Sequence, residues 1–454
     1  MADRFAAELL AARIAREINA TSLDDLPAEV ISKTKLCLFD LIGCAFESRA
    51  LPWSRQAVSL AQDLQNGASI IGTSIVASEG DAAFANAVMG HGLVREDMHS
   101  GSISHLGIVV LPVLLALSQN RRVNGRDFIM AAVAGYEVGG QVGRALMDAD
   151  VVKIHRPTGI SGPVAGAAAG ARLFDLDNEA MTSAIALGAN TTLGFNQWAH
   201  TGGSEMFFQA GFIARNAVSA VRLAASGAFA SPSALDGEAG LFASLNKRSA
   251  AASVAIFKNQ PEILAVYHKP IPACNFAQTP CQAALRLARN EQVKVDRIAS
   301  IKVRVSRAGA LYPGCDYSGP FAHILQAKMS IQYNVAAALL LRDVSEKNFE
   351  LLDDPALHRL IGMTSLEVDD QMTSAYPALQ GGEVEVTHVD GATYRVRLDN
   401  VVNATEDDVR ERFRVASSEA VGNERAAQLQ QFIDALDQHE DVGALGLLYR
   451  TEEK

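Results

Sequence analysis

Apolar residues recur at helical spacing up to about residue 265, and Ala and Gly are concentrated in several of these segments. Small residues let the backbones of neighbouring helices approach closely. The pattern predicts buried, closely packed helices rather than a nucleotide site, because no strand precedes the glycines and no Gly-Lys-Ser/Thr motif follows them. The small-residue segments are DFIMAAVAGYEVGGQVGRALM (127–147), GPVAGAAAGARL (162–173) and QAGFIARNAVSAVRLAAS (209–226).

After residue 269 the pattern changes to one that mixes strands and helices. Residues 300–308 (SIKVRVSRA) alternate apolar and polar side chains, as a half-buried strand does. Residues 381–398 contain two such runs around Asp390-Gly391, a dipeptide typical of tight hairpins. The apolar segment QAKMSIQYNVAAALLLRD between them predicts one helix, and helical patterns return from about residue 405. The fold class predicted is mainly α, with a large all-helical domain and a smaller α+β domain.

The length of 454 residues exceeds the size at which a single core stops growing, so two domains are expected. We place the all-helical domain at 1–268 and the α+β domain at 269–401. The C-terminal helices, 402–454, are expected to rejoin the first domain. A cleft between two domains is a preferred place for a small-molecule site.

Composition narrows the class of partner. The chain has 40 Lys and Arg against 51 Asp and Glu, and a net charge of −11 argues against nucleic acid or an anionic membrane surface. The five cysteines form no C-x-x-C pair, which favours a reduced compartment. The first 20 residues have helical spacing rather than the apolar centre of a signal peptide, and the run GIVVLPVLLAL is too short to span a bilayer. These features predict a soluble, cytoplasmic protein.

The stretch VREDMHSGSISHLGIVVLP (94–112) carries the densest group of titratable residues: Glu96, Asp97, His99 and His105 precede an apolar helix expected to begin near Gly107. A histidine at a helix N-terminus lies beside free N–H groups that favour an anion such as a substrate carboxylate. An ordinary polar loop with a capping residue would give the same pattern. A metal site is disfavoured, because the two histidines do not have the i, i+4 spacing of a helical ligand pair.

Three further stretches are candidates for the cleft. KIHRPTGISG places His155 and Arg156 before a proline that favours a helix start, and Arg suits bidentate carboxylate binding. YHKPIPACNF places Lys269 at the expected domain boundary, where a desolvated ammonium could exchange protons, although a surface lysine in a linker is the simpler alternative. LYPGCDYSGP, which includes Tyr317, is a turn-rich loop near a possible lid.

Seven motifs follow one another over nearly the whole chain: KTKLCLFDLIGCAF, AAFANAVMGHGL, DMHSGSISHLGIVVLP, RPTGISGPVAGAAAGARLFDLD, QAGFIARNAVSAVRLAASGAF, YHKPIPAC and QAKMSIQYNVAAALLL. Their order and spacing resemble the MmgE/PrpD family, whose members include 2-methylcitrate dehydratase, cis-aconitate decarboxylase and iminodisuccinate epimerase. The resemblance implies a large helical domain, a small α+β lid, a homodimer and no metal or organic cofactor.

The resemblance assigns several residues to the site. His105 matches the family histidine that follows the acidic loop, and Lys269 matches the lysine of the K-P-x-P motif. Glu96 and Asp97 match the paired acids. Where the family has a second histidine before Pro-Thr, this chain has Arg156, with His155 one position earlier.

Further positions depart from the family pattern. Val94 replaces an acid, Met206 stands where a lysine is common, and Gln209 stands where a histidine is common. These changes remove acid/base and cationic groups that tricarboxylate-processing members use. The family is therefore predicted more firmly than the substrate.

The resulting hypothesis is a cofactor-independent lyase, similar to 2-methylcitrate dehydratase, that abstracts a proton next to a carboxylate of a small di- or tricarboxylate. Epimerisation of an amino-dicarboxylate such as iminodisuccinate and decarboxylation of cis-aconitate are the alternatives, and a non-catalytic metabolite-binding homologue is a further one. The expected catalytic residues are His105, Lys269, Asp97 and His155, with Arg156, Glu96, Gln209 and Tyr317 binding substrate and no metal ligands.

Overall fold

A computed structural model describes residues 8–192 and 194–452. Helices form most of the first part of the chain, and two short antiparallel strand pairs accompany them. The prediction of an all-helical domain did not include these strands. The elements are α1 (Leu10–Ala20), α2 (Glu29–Ser48), α3 (Pro52–Ser59), β1 (Ala68–Ser69), β2 (Val76–Ala77), α4 (Glu79–His91), β3 (Met98–His99), α5 (Gly107–Ser118), α6 (Gly125–Leu146), α7 (Ala149–Ile154), α8 (Pro157–Leu173), α9 (Asn178–Ala189), α10 (Trp198–Thr201), α11 (Glu205–Ala225), α12 (Leu241–Ser244) and β4 (Val266–Tyr267).

Close helix packing explains the small residues in α6, α8 and α11. A Cβ atom at Gly166 of α8 would lie 2.7 Å from the Cβ of Ala217 in α11. A Cβ atom at Gly135 of α6 would lie 2.8 Å from the Cβ of Ala169 in α8. Both distances are shorter than a van der Waals contact. The helices can therefore lie this close only because glycine has no side chain at these two positions.

The second part of the chain surrounds a four-stranded sheet with the strand order β6-β5-β7-β8. The β5–β6 pair is parallel and the other two pairs are antiparallel. The hairpin predicted around Asp390-Gly391 joins β7 and β8, and Gly391 has φ 85°. The elements are α13 (Gln278–Ala288), β5 (Ile298–Val305), α14 (Arg307–Leu311), α15 (Ile324–Met329), α16 (Ile331–Leu341), α17 (Pro355–Gly362), β6 (Thr364–Val368), α18 (Asp370–Ala375), β7 (Gly382–His388) and β8 (Thr393–Leu398).

One helix prediction is wrong in detail. The segment 326–343 was expected to form a single helix, but Ser330 separates α15 from α16. Ser330 has an extended ψ of 122°, and its hydroxyl accepts a hydrogen bond from the backbone N–H of Tyr333 at 2.9 Å. The serine therefore ends one helix and caps the next.

The last helices pack against the first part of the chain. They are α19 (Glu406–Val421), α20 (Asn423–Asp434) and α21 (Leu445–Leu448). The ring of Phe413 in α19 meets that of Phe39 in α2 edge-to-face, with centroids 4.9 Å apart. The mainly α fold class with a smaller α+β region is confirmed.

A short strand pair joins the two sequence regions that carry the candidate chemistry. In β3 and β4, Met98 pairs with Tyr267 and His99 pairs with Val266. This pairing holds the loop before α5 beside the segment that contains Lys269. None of the described helices combines the length and the apolar character that crossing a membrane requires.

Candidate active site

A cavity of about 40 Å³ lies where the loop after α4, the start of α8 and the segment after β4 meet. Polar and titratable side chains on its wall are His91, His105, Arg156, Thr158, Cys274, Asn275 and Tyr312. The remaining wall is largely apolar and includes Val94, Met98, Ile103, Trp198, Met206 and Met329.

Two histidines share one buried carboxylate at this cavity. Glu96 is 1% exposed, and its Oε1 lies 2.5 Å from Nδ1 of His91 and 2.8 Å from Nδ1 of His105. Burial alone would raise the pKa of Glu96, but the two imidazoles outweigh it and lower that pKa well below its ordinary value. Glu96 is therefore ionised, and its Oε2 has no hydrogen-bond partner among the residues described.

A buried arginine completes the group. Arg156 precedes Pro157, the first residue of α8, and donates to the backbone oxygen of Met206 at 2.5 Å and to Oε1 of Gln209 at 3.3 Å. Its Nη2 lies 2.5 Å from Nε2 of His91. Within the described part of the chain no carboxylate forms an ion pair with this guanidinium, and burial lowers its pKa to about 10.

These contacts fix the proton on His91. Arginine can only donate, so Nε2 of His91 accepts from Arg156, and Nδ1–H donates to Glu96. Burial, partly opposed by Glu96, lowers the pKa of His91 to about 3, in agreement with a neutral ring. His91 is thus already engaged on both nitrogens.

His105 differs in keeping one nitrogen available. Its Nδ1 lies 2.8 Å from Oε1 of Glu96 and 3.2 Å from the backbone oxygen of Asp97, and no hydrogen bond to its Nε2 is present among residues 8–192 and 194–452. The side chain is 13% exposed, the largest exposure in the cluster. Burial lowers the pKa of His105, with Lys269 acting in the same direction and Glu96 opposing it. A neutral His105 can accept a proton at Nε2 from a molecule in the cavity.

Lys269 is completely buried behind the cavity wall and does not line the cavity itself. Its ammonium donates to the carbonyl oxygens of Val94 and, at 3.2 Å, of Ala273. Burial lowers the pKa of Lys269, although the negative charge of Glu96 opposes this shift. Lys269 is therefore placed to influence the charge of the cluster, and the surface-linker interpretation of this residue does not apply.

The Asp97 side chain points away from the cavity toward α5. It accepts hydrogen bonds from the Tyr136 hydroxyl at 2.5 Å and from the Gly107 backbone N–H at 3.2 Å. Burial raises its pKa despite the Tyr136 hydrogen bond. In this arrangement Asp97 satisfies a free N–H at the start of α5.

The remaining sequence candidates lie outside the cavity wall. His155 is half-buried and its ring packs against Phe195 at 5.9 Å. Gln209 accepts a hydrogen bond from the Arg156 guanidinium through its Oε1. Tyr317 donates its hydroxyl proton to the backbone oxygen of Pro320, within the loop before α15.

Sequence reasoning missed several residues of the wall, among them His91, Tyr312 and Trp198. His91 belongs to the quoted motif AAFANAVMGHGL but was not singled out, because its contact with Arg156 joins positions 65 residues apart. Tyr312 lies in the turn-rich loop that was noted for Tyr317, and burial keeps the pKa of its phenol above the ordinary value. Trp198 carries a buried Nε1–H with no partner among the described atoms.

A metal ion could use the same three side chains. Ligand atoms of His91, Glu96 and His105 lie within 4.8 Å of one another. However, Nδ1–H of His91 donates to the carboxylate, Nδ1 of His105 lies beside both Glu96 and the Asp97 carbonyl oxygen, and the Arg156 guanidinium occupies the other nitrogen of His91. A cation would have to displace these protons beside a fixed positive charge, so the donor set fits proton transfer better than metal binding.

The comparisons with known proteins agree with this organisation. The MmgE/PrpD N-terminal domain model matches residues 12–252, and the MmgE/PrpD C-terminal domain model matches residues 271–438. A cis-aconitate decarboxylase of Aspergillus terreus strain NIH 2624 is 23% identical over 98% of this chain and 96% of its own. A cis-aconitate decarboxylase-like protein, oryM, of Aspergillus oryzae is 27% identical over 94% of each chain. The chain belongs to the MmgE/PrpD family.

Proposed function

We propose that this protein is a lyase that acts on a small carboxylate, with His105 transferring a proton at the carbon next to the carboxylate group. The observation that carries the proposal is the available Nε2 of a neutral His105, held by an ionised Glu96 and facing the same cavity as Arg156. Family membership supports a lyase, and the site supports the chemistry.

Carboxylate binding is assigned to Arg156. A buried guanidinium without a carboxylate partner is costly to maintain unless an anion can approach it. The unpartnered Nε1–H of Trp198 supplies a second donor at the cavity. The buried charge of Lys269 further stabilises negative charge that develops on the substrate.

The geometry fits elimination best. Neutral His105 takes a proton from the carbon next to the carboxylate, and the released electron pair forms a double bond as the carbon–hydroxyl bond on the neighbouring carbon breaks. Tyr312, which burial keeps protonated, donates the proton that converts the leaving hydroxide to water. Exchange with solvent then removes the proton from His105 and restores that of Tyr312.

Decarboxylation is the second candidate, favoured by the names of the curated relatives. In that reaction the bond between carbon and the carboxylate breaks, carbon dioxide leaves, and the electron pair stays on the substrate carbon. His105 would then have to begin protonated and donate its proton to that carbon. The two reactions therefore move the His105 proton in opposite directions.

Proton NMR in heavy water distinguishes these outcomes. The purified protein is incubated with 2-methylcitrate, citrate, cis-aconitate and iminodisuccinate, and His105→Asn serves as the control. A new alkene without carbon loss supports dehydration, loss of a carboxyl carbon supports decarboxylation, and deuterium uptake with inversion supports epimerisation. Binding without any exchange or product in all four cases would contradict the enzyme proposal and support a metabolite-binding homologue.

A further inference from the structure

A second and much larger cavity adjoins the site. It has a volume of about 420 Å³ and lies between α7, α14 and the segment around Tyr376. Ile103, Phe276 and Tyr312 line both this groove and the smaller cavity. The two spaces therefore meet at these three side chains.

The groove is mostly apolar. Met147, Val152, Leu311 and Tyr376 contribute to its surface, and Leu311 is 53% exposed although it is a large apolar side chain. A molecule that covered these residues would remove apolar surface from water.

Three charged side chains line the groove. Arg144 pairs with Glu262 at 3.0 Å, and Asp148 pairs with Lys247, so these two charges are balanced within the protein. Arg307, the first residue of α14, is exposed and forms no ion pair among residues 8–192 and 194–452. Because most of the groove surface is apolar, it favours an apolar group, while Arg307 keeps its contact with water.

We infer that the substrate carries an apolar arm that extends past Ile103, Phe276 and Tyr312 into this groove, while its carboxylate binds Arg156. The inference rests on the proposed function and extends it to the class of substrate. The smaller cavity has room for little beyond the reacting carboxylate part. Its apolar side chains, among them Val94 and Met206, add no cation for a further carboxylate arm.

The test uses maleates substituted at carbon 2 with methyl, propyl or hexyl, and their dissociation constants are measured by calorimetry. cis-Aconitate has the same cis-dicarboxylate part but a carboxymethyl arm, so it is the charged control. The structure predicts that affinity rises roughly fourfold for each methylene group that enters the groove. cis-Aconitate is expected to bind more weakly than the propyl compound.

Leu311→Trp tests whether the groove is responsible. The larger side chain would occupy the groove, so the ratio of hexyl to methyl affinity is expected to fall close to one. Leu447→Trp is the matched control, because Leu447 is 65% exposed on α21, and it should keep the wild-type ratio. Melting temperatures of both variants check that the fold is retained.

Equal affinities for the methyl and hexyl compounds in the wild type would overturn the inference. If these compounds still bind and exchange protons in a His105-dependent way, the proposed function stands without it. If neither the maleates nor cis-aconitate bind, both the inference and the proposed function fail. An unchanged hexyl-to-methyl ratio in Leu311→Trp would also overturn the inference.

Discussion

At the scale of single residues, the positions of the protons give different roles to the two histidines that share Glu96. Arg156 donates to one nitrogen of His91, which leaves that ring neutral and fully engaged. His105 has the same carboxylate partner but an available Nε2 at the cavity. We therefore assign proton transfer to His105 and orientation of the network to His91 and Glu96.

His105→Asn should reduce kcat by about 100-fold or more, because a positioned general base contributes roughly 10²- to 10⁴-fold. Asparagine keeps a polar side chain beside Glu96 but cannot accept the proton. Steady-state kinetics on the substrate identified by NMR measures the effect. His200→Asn changes an exposed histidine of α10 and should stay within about twofold of the wild type. Comparable kcat values for the two variants would contradict the assignment.

Arg156→Lys should lower kcat/KM by about 10- to 100-fold, chiefly through a higher KM, because one ammonium cannot replace the forked donors that reach His91 and Met206. Substrate saturation curves separate the two parameters. Arg122→Lys is the control, since Arg122 pairs with Glu440 on the surface with 72% of its side chain exposed. A wild-type KM in Arg156→Lys would exclude Arg156 as the carboxylate ligand.

Sequence reasoning identified part of this site and missed another part for a physical reason. His105, Glu96 and Arg156 were recognised because they stand near predicted helix starts or in matching motifs. His91 was missed because its importance comes from contacts made after folding, with Arg156 and Met206. For Asp97, the sequence showed an acid near a helix but not that its side chain faces Tyr136.

At the scale of secondary-structure elements, close approach between α8 and its neighbours positions Arg156 at the start of α8. The approach depends on glycine at Gly166, where α8 meets Ala217 of α11. The high Ala and Gly content predicted this packing from the sequence. The break at Ser330 was not predictable from periodicity, because the apolar pattern continues through it and the serine cap provides the interruption.

Gly166→Ala should lower the free energy of unfolding by about 1–3 kcal/mol, because the added methyl group overpacks the contact with Ala217. Denaturant titration measures the change. Gly362→Ala is the control, since no atom of the described residues lies within 4 Å of a Cβ added at that position, and its stability should be unchanged or slightly higher. A smaller loss in Gly166→Ala than in the control would contradict the packing account.

At the scale of the whole molecule, the site exists only because distant parts of the chain meet. Strand β3 pairs with β4, and Lys328 of α15 donates to the backbone oxygens of Leu93 at 3.1 Å and Pro272 at 3.0 Å. These contacts hold the α+β part against the loop that carries Glu96. The sequence could predict two kinds of structure, but not which loops they bring together.

The resemblance to the family also predicts a homodimer. Large apolar side chains remain exposed on α11, including Phe212 at 44% and Leu223 at 52%, and association would bury surface of this kind. Sedimentation equilibrium at micromolar concentration should give twice the 48.3 kDa of the chain. A single species of 48.3 kDa across that concentration range would contradict the prediction.

The pH dependence of kcat/KM tests the central claim most directly. Because burial lowers the pKa of His105, the base form predominates at neutral pH and is lost as the pH falls below the ordinary histidine value of about 6.5. For elimination we predict a constant kcat/KM through neutral pH and a one-proton decrease on the acid side, which His105→Asn abolishes. A rate that instead increases as the pH falls would contradict the role of His105 as proton acceptor.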